Sequence, residues 1–233
     1  MRKSRLAFVA ANCLIFGIAS SCKKETIPTV TRNTILDPCS TKNEYFPPPG
    51  STWSGSGLHW GADEEEWESN LLHHMREPSL YACSAATDEP VYRFLWDRSL
   101  SEPIAARLTV HKDGTGTLTI HILANNGIQP PPEPGQPPIT QDQWFRIKSE
   151  QQIAVTPEQA KHALALLDGI NFWNVDPNKG ETTDGSDWIF ESKVEGRYRL
   201  VDFRNQPSKI AKDCGLYLVL GLGKLAISTD EIY

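Results

Sequence analysis

The stretch from Trp188 to Phe203 constrains this chain most. A two-residue turn at Glu195-Gly196 puts Trp188 opposite Phe203 and Phe190 opposite Val201, so the aromatic side chains share one face. In the same register Ile189 opposes Asp202 and Glu191 opposes Leu200. An antiparallel hairpin with so large an apolar face needs other elements to cover it.

The rest of the chain supplies strands and helices to match. Tyr92 to Asp97 opens a β region, and Arg107 to His121 reads as a second hairpin around Asp113-Gly114-Thr115. A three-residue loop there pairs Val110 with Leu118 and Leu108 with Ile120, keeping the apolar residues on one face. A two-residue loop would pair Val110 with Thr117 and mix the faces. Trp144 to Val155 predicts another strand. Thr156, Pro157 and Gln159 form a helix start with a capping box, and Ala160, Ala163, Leu164 and Leu167 make its buried stripe to Gly169. Phe172 and Trp173 follow and are expected to fold back onto the core. Ser208 to Ile227 is apolar and predicted helical. Gly215, Gly221 and Gly223 weaken it, unless they allow close packing on the sheet. Further upstream, Asp63 caps a helix that runs to Met75, with Glu66 three residues on and Trp67, Leu71 and Met75 as its apolar stripe. The fold class expected is α+β: an antiparallel β-sheet of hairpins with two helices packed on one face, plus an N-terminal helix. Ile128 to Ile139 carries six prolines and is expected to be an extended, exposed loop, at 128–139 of the domain.

The first residues read as an address. Arg2, Lys3 and Arg5 precede the mostly apolar run Leu6–Ala19, which is too short to span a bilayer comfortably. Ala19-Ser20-Ser21-Cys22 then resembles the lipobox of bacterial lipoproteins, with Ala19 where leucine is usual. Residues 1–21 are therefore read as a lipoprotein signal peptide, 22–57 as the lipidated Cys22 and a flexible tether, and 58–233 as a single α+β domain. Lipidation at Cys22, with palmitate among the acyl groups, would anchor the protein to a membrane of the bacterial cell envelope. That membrane is the outer one, or the cell surface, if the cell is Gram-negative.

Charge and cysteines narrow the function classes. The formal net charge of −6 falls to −9 once the three basic residues of the leader are gone, which argues against nucleic acid as a partner. Export leaves Cys39, Cys83 and Cys214. Cys39 and Cys83 flank irregular segments and are the disulfide candidate, worth roughly 4 kcal/mol through loop closure. Cys214 is expected to be a buried helical thiol.

Several motifs also carry a resemblance. These are Tyr92-Arg93-Phe94-Leu95-Trp96, Gly114-Thr115-Gly116-Thr117-Leu118, Phe172-Trp173, Asp184-Gly185-x-x-Trp188-Ile189-x-Glu191 and Gly196-Arg197-Tyr198-x-x-Val201-Asp202. Together they resemble an uncharacterised family of bacterial secreted putative lipoproteins, over about 130 residues. The resemblance implies export and a small α+β domain, and no established activity. The proline-rich insert departs from the pattern.

Catalytic motifs are scarce. No Gly-x-Ser-x-Gly, His-Glu-x-x-His or Walker A loop is present, and Gly221-Leu222-Gly223 lacks the third glycine of a dinucleotide fingerprint. No C-x-x-C motif supports a zinc or redox site. No cofactor is implied. Glu66, Asn70 and His73 share a helical face that suits a metal, though a solvated face looks the same. His111 and His121 lie on the polar face of the hairpin around Asp113, four ladder rows apart, too far for one ion. Glu158 and His162 read more simply as a surface ion pair than as an acid–base pair. Asp184, Asp187, Glu191 and Asp202 are the strongest candidates. Glu191 and Asp202 are diagonal neighbours on one face, so the group suits a hard cation or a carboxylate with a raised pKa. The simpler alternative is turn formation by Asp184 and Asp187, with Lys193, Arg199 or Arg204 neutralising the others. The function expected is a membrane-anchored lipoprotein with a non-enzymatic binding or envelope-associated domain, its partner a protein or a glycan. The alternative is a metal-dependent or acid–base hydrolase using the acids around Asp184–Asp202.

Overall fold

A computed structural model describes residues 45–47, 62–83, 88–124, 131–132, 134–175, 185–203, 207–228, 230 and 232, with only the backbone at 62–65 and 141. All belong to one compact unit, Leu36–Tyr233. The expected signal peptide, Cys22, Cys39 and Asp184 lie outside the described residues. Among the described residues, no helix is long and apolar enough to cross a membrane.

The fold is α+β, built on a six-stranded antiparallel sheet. Its strands are β1 (Val91–Arg98), β2 (Ile104–Val110), β3 (Gly116–Leu123), β4 (Ile147–Val155), β5 (Ser186–Val194) and β6 (Arg197–Asp202), in the order β4-β3-β2-β1-β5-β6. Strand β1 is the seam. It pairs with β2 on one side and, across nearly a hundred residues of sequence, with β5 on the other. The β5–β6 turn has φ of 51° at Glu195 and 74° at Gly196, as a tight primed hairpin turn requires, and Phe190 opposes Val201.

The other hairpin differs from expectation by two residues. Leu108 pairs with Leu118 and Val110 with Gly116, rather than Val110 with Leu118. The turn explains the shift. Asp113 accepts from the Thr115 amide and hydroxyl, Gly114 takes φ 84°, and the His111 amide donates to the Thr115 carbonyl over 2.8 Å. The loop is therefore centred on Asp113 rather than Gly114. A shift of two preserves parity, so the same side chains keep the same face. His121 now opposes Ala105, and Arg107 opposes Thr119.

One face of the sheet carries Phe94, Trp96, Ile104, Leu108, Leu118, Ile120, Trp188, Phe190 and Val201. These residues form one buried cluster with Ala160, Ala163 and Leu167 of α3 (Pro157–Gly169) and with Ala211 and Cys214 of α4 (Lys209–Leu216). Helix α3 begins with the complete Thr156–Gln159 capping box and Pro157 in its first turn. Phe172 is 2% exposed in this cluster. Helix α4 continues as a π-helix, Tyr217–Leu222.

The other face carries Val91, Leu95, Ala105, Leu123, Ile189, Tyr198 and Leu200. It clusters with Leu71, Leu72 and Met75 of the α1 region (α1, Ala62–His74), with Leu80 and Phe145, and with Tyr45 and Phe46. Two expectations are corrected here. Tyr45 and Phe46 fall in the segment read as tether, yet they are 0% and 1% exposed, and the Tyr45 hydroxyl donates to the Glu77 carbonyl. Trp144 does not open a strand. It ends the short helix α2 (Gln141–Trp144), started by reciprocal Thr140–Gln143 hydrogen bonds, and β4 begins only at Ile147. Residues 131, 132 and 134–140 of the proline-rich loop are exposed.

Candidate functional site

Two groups of charged side chains sit on the α1 side of the sheet. Both follow from strand parity: Arg93 and Asp97 of β1 alternate with Val91 and Leu95, so the face mixes charge with apolar contact.

The first group centres on the fully buried Glu77, just beyond α1. His121 Nδ1 donates to Glu77 Oε1 over 2.8 Å, and Arg107 Nε donates to Oε2 over 2.8 Å. Arg93 lies 3.5 Å from the same Oε2 and donates to the Pro78 carbonyl over 2.6 Å. Arg93 also forms an ion pair with Glu191, donating from Nε to Oε2 over 2.6 Å, while the Tyr198 hydroxyl donates to Glu191 Oε1 over 2.8 Å. Burial alone would raise the Glu77 carboxyl. Arg107, the His121 hydrogen bond and Arg93 more than reverse this and hold it at about 2. At Glu191 the balance goes the other way: burial raises it against the pull of Arg93 and Tyr198.

The second group is acidic. Asp97 and Asp187 face each other across β1 and β5. Glu68 of α1 comes down between them, and one oxygen from each of the three lies within 4.8 Å of the others. Trp67 Nε1 donates to Asp97 Oδ2 over 2.8 Å, which orients that carboxylate. Glu68 is 3% exposed, and among the described residues no donor reaches its buried Oε2. Burial, then the fields of Asp97, Asp187 and Asp202, push the Glu68 carboxyl well above the usual range. Burial also raises Asp97, against hydrogen bonds from Trp67 and Glu68. Asp202 of β6 is 4% exposed.

The sequence candidates therefore separate. Asp187 and Asp202 belong with Glu68 and Asp97, whereas Glu191 is held by Arg93 and Tyr198. Of the expected neutralising cations, Lys193 donates to the Cys83 carbonyl and Arg199 to the Val175 carbonyl, while Arg204 lies outside the described residues. Glu66 is exposed and Asn70 buried, so the expected Glu66–Asn70–His73 face is not a shared surface. His111 bonds Glu89 and Thr117, well apart from the His121–Glu77 contact. Exposed Glu158 accepts from the Thr156 hydroxyl, while His162 packs edge-on against Tyr217. Glu68 and Asp97 were not singled out in the sequence. Leu72, four residues after Glu68, marks its helix face as buried, and that was the available signal.

Cys83 is disulfide-bonded and Cys214 is free, so the partner of Cys83 lies outside the described residues. Burial pushes the Cys214 thiol up to about 12. No family model, curated protein or solved structure matches the chain.

Proposed function

We propose that this chain is an exported, lipid-anchored envelope protein whose α+β domain binds a protein or glycan partner rather than catalysing a reaction. Cys22 carries the anchor, the residues after it form the tether as far as Tyr45, and Cys39 is the partner of Cys83. In this arrangement α3 and α4 cover one face of the sheet and α1 closes the other.

The observation that carries the reading is the disulfide at Cys83. Such bonds persist in oxidising compartments and are rare in a reducing cytosol, which agrees with a leader ending just before Cys22. The buried charges support the binding role. Glu77, Arg93, Arg107, His121, Glu191 and Tyr198 pair with one another between the sheet and its cover. Groups arranged this way hold a fold together and are not presented to a substrate. The hydrolase alternative loses Glu191 to this network. Among the described residues, no histidine or cysteine joins the remaining carboxylate group.

Membrane fractionation with labelled palmitate tests the proposal. The wild-type chain should partition with membranes and take up label, and Cys22→Ser should do neither. Equal membrane recovery of the variant would overturn the anchor.

A further inference from the structure

Glu68, Asp97 and Asp187 reach one point from three separate elements: a helix, the central strand and its neighbour. We propose that they form a binding site for a hard divalent cation, with calcium the best fit. This goes beyond the anchored-binding reading and does not depend on the anchor.

The geometry meets the demands of that ion. Oxygen ligands sit about 2.3–2.6 Å from calcium, so two ligands of one ion lie at most about 5 Å apart. The three carboxylates satisfy this, with oxygens within 4.8 Å of one another. Magnesium asks for about 2.0–2.1 Å and a near-octahedral set, a stricter condition than carboxylates on three elements are built to meet. All the donors are carboxylate oxygen, the chemistry of a hard cation rather than of zinc or copper.

Glu68 supplies the second, independent sign. The residue is 3% exposed, and its buried Oε2 has no hydrogen-bond partner among the described residues. A buried carboxylate oxygen is normally hydrogen-bonded, so an orphaned one on a carboxylate that meets two other acids calls for a positive partner. Asp97 is held toward the same point by the Trp67 N–H, the kind of outer hydrogen bond that fixes a metal-binding carboxylate.

The test uses the full chain in detergent, stripped with EDTA, with calcium chloride titrated by calorimetry and thermal melting, and magnesium chloride as the second arm. Saturable one-to-one calcium binding is expected, with Kd between about 10 μM and 1 mM, accompanied by a raised Tm and weaker magnesium binding. Glu68→Gln should bind calcium at least about ten-fold more weakly, as loss of a coordinating ligand does. In EDTA it should be no less stable than wild type. Glu66→Gln, exposed on the same helix, should bind as wild type does. Should Glu68→Gln fail to fold, Asp187→Asn, at a half-buried position, takes its place with the same expected loss. No stabilisation of the wild type up to about 10 mM calcium, well beyond the range of extracellular sites, would overturn the proposal. So would binding by Glu68→Gln or Asp187→Asn equal to that of the wild type.

Discussion

At Glu77 a single buried carboxylate is divided between His121 on one oxygen and two arginines on the other. Its carboxyl is held at about 2, below the ordinary 4.5. A depressed carboxyl contributes stability that is present above its unfolded value and lost as pH falls through its folded one. The difference corresponds to about 3 kcal/mol, lost between roughly pH 5 and pH 2. Glu191 opposes this, since its raised carboxyl favours the fold as pH falls, so the net loss is smaller than the share of Glu77 alone. Urea unfolding at about pH 7 and pH 3 should show the lower stability at pH 3. Glu77→Gln should lose about 3 kcal/mol at pH 7, because buried Arg93 and half-buried Arg107 lose a shared counter-charge. It should also lose less between the two pH values than wild type does. Little of this was legible. Arg107 and His121 alternate with apolar residues and read as the wet side of a hairpin. The chain that covers them, 75–83, has no periodicity to announce itself.

Among the elements, the hairpin at Glu195-Gly196 was readable to the register, because its turn admits one geometry and its aromatics one face. The hairpin at Asp113 was readable in parity but not in register, since an Asx-type contact from Asp113 moved the turn centre by one residue. Helix α2 was missed, although Thr140-x-x-Gln143 has the spacing of a capping box. Helix α4 shows how packing overrides propensity. A Cβ on Gly215 would lie 2.7 Å from Phe94 Cζ and 3.0 Å from Trp188 Cζ3. Those rings are themselves locked in a ladder, Phe94 to Trp188 at 5.3 Å and Trp96 to Trp188 at 4.8 Å. Gly215→Ala gains about 1 kcal/mol of helix propensity. It must displace rings in a close-packed core, which costs typically 1–3 kcal/mol, about as much or more. Denaturant unfolding should show a net loss of up to about 2 kcal/mol, with no change in m-value. A more stable variant would mean that the rings move freely.

For the whole molecule, the α+β class followed from two hairpins and an α-helix with a complete cap, all local signals. The sheet order did not. Strand β1 joins the two hairpin units through Phe94 opposite Phe190 and Trp96 opposite Trp188, pairings between distant segments that no local pattern encodes. The acidic group divides along the same line: Asp187 was visible as a strand-entry acid, but Asp97 meets it only because β1 pairs with β5. Tyr45 and Phe46 likewise join the core from a segment whose composition reads as linker. The central claim, an exported and lipid-anchored domain closed by a disulfide, is tested most directly by the intact mass of the chain purified from membranes. The account predicts a polypeptide beginning at Cys22 that carries diacylglycerol and acyl groups. Reduction should add two hydrogens, from one disulfide at Cys83. An unlipidated chain that retains residues 1–21, or one whose mass does not change on reduction, would contradict it.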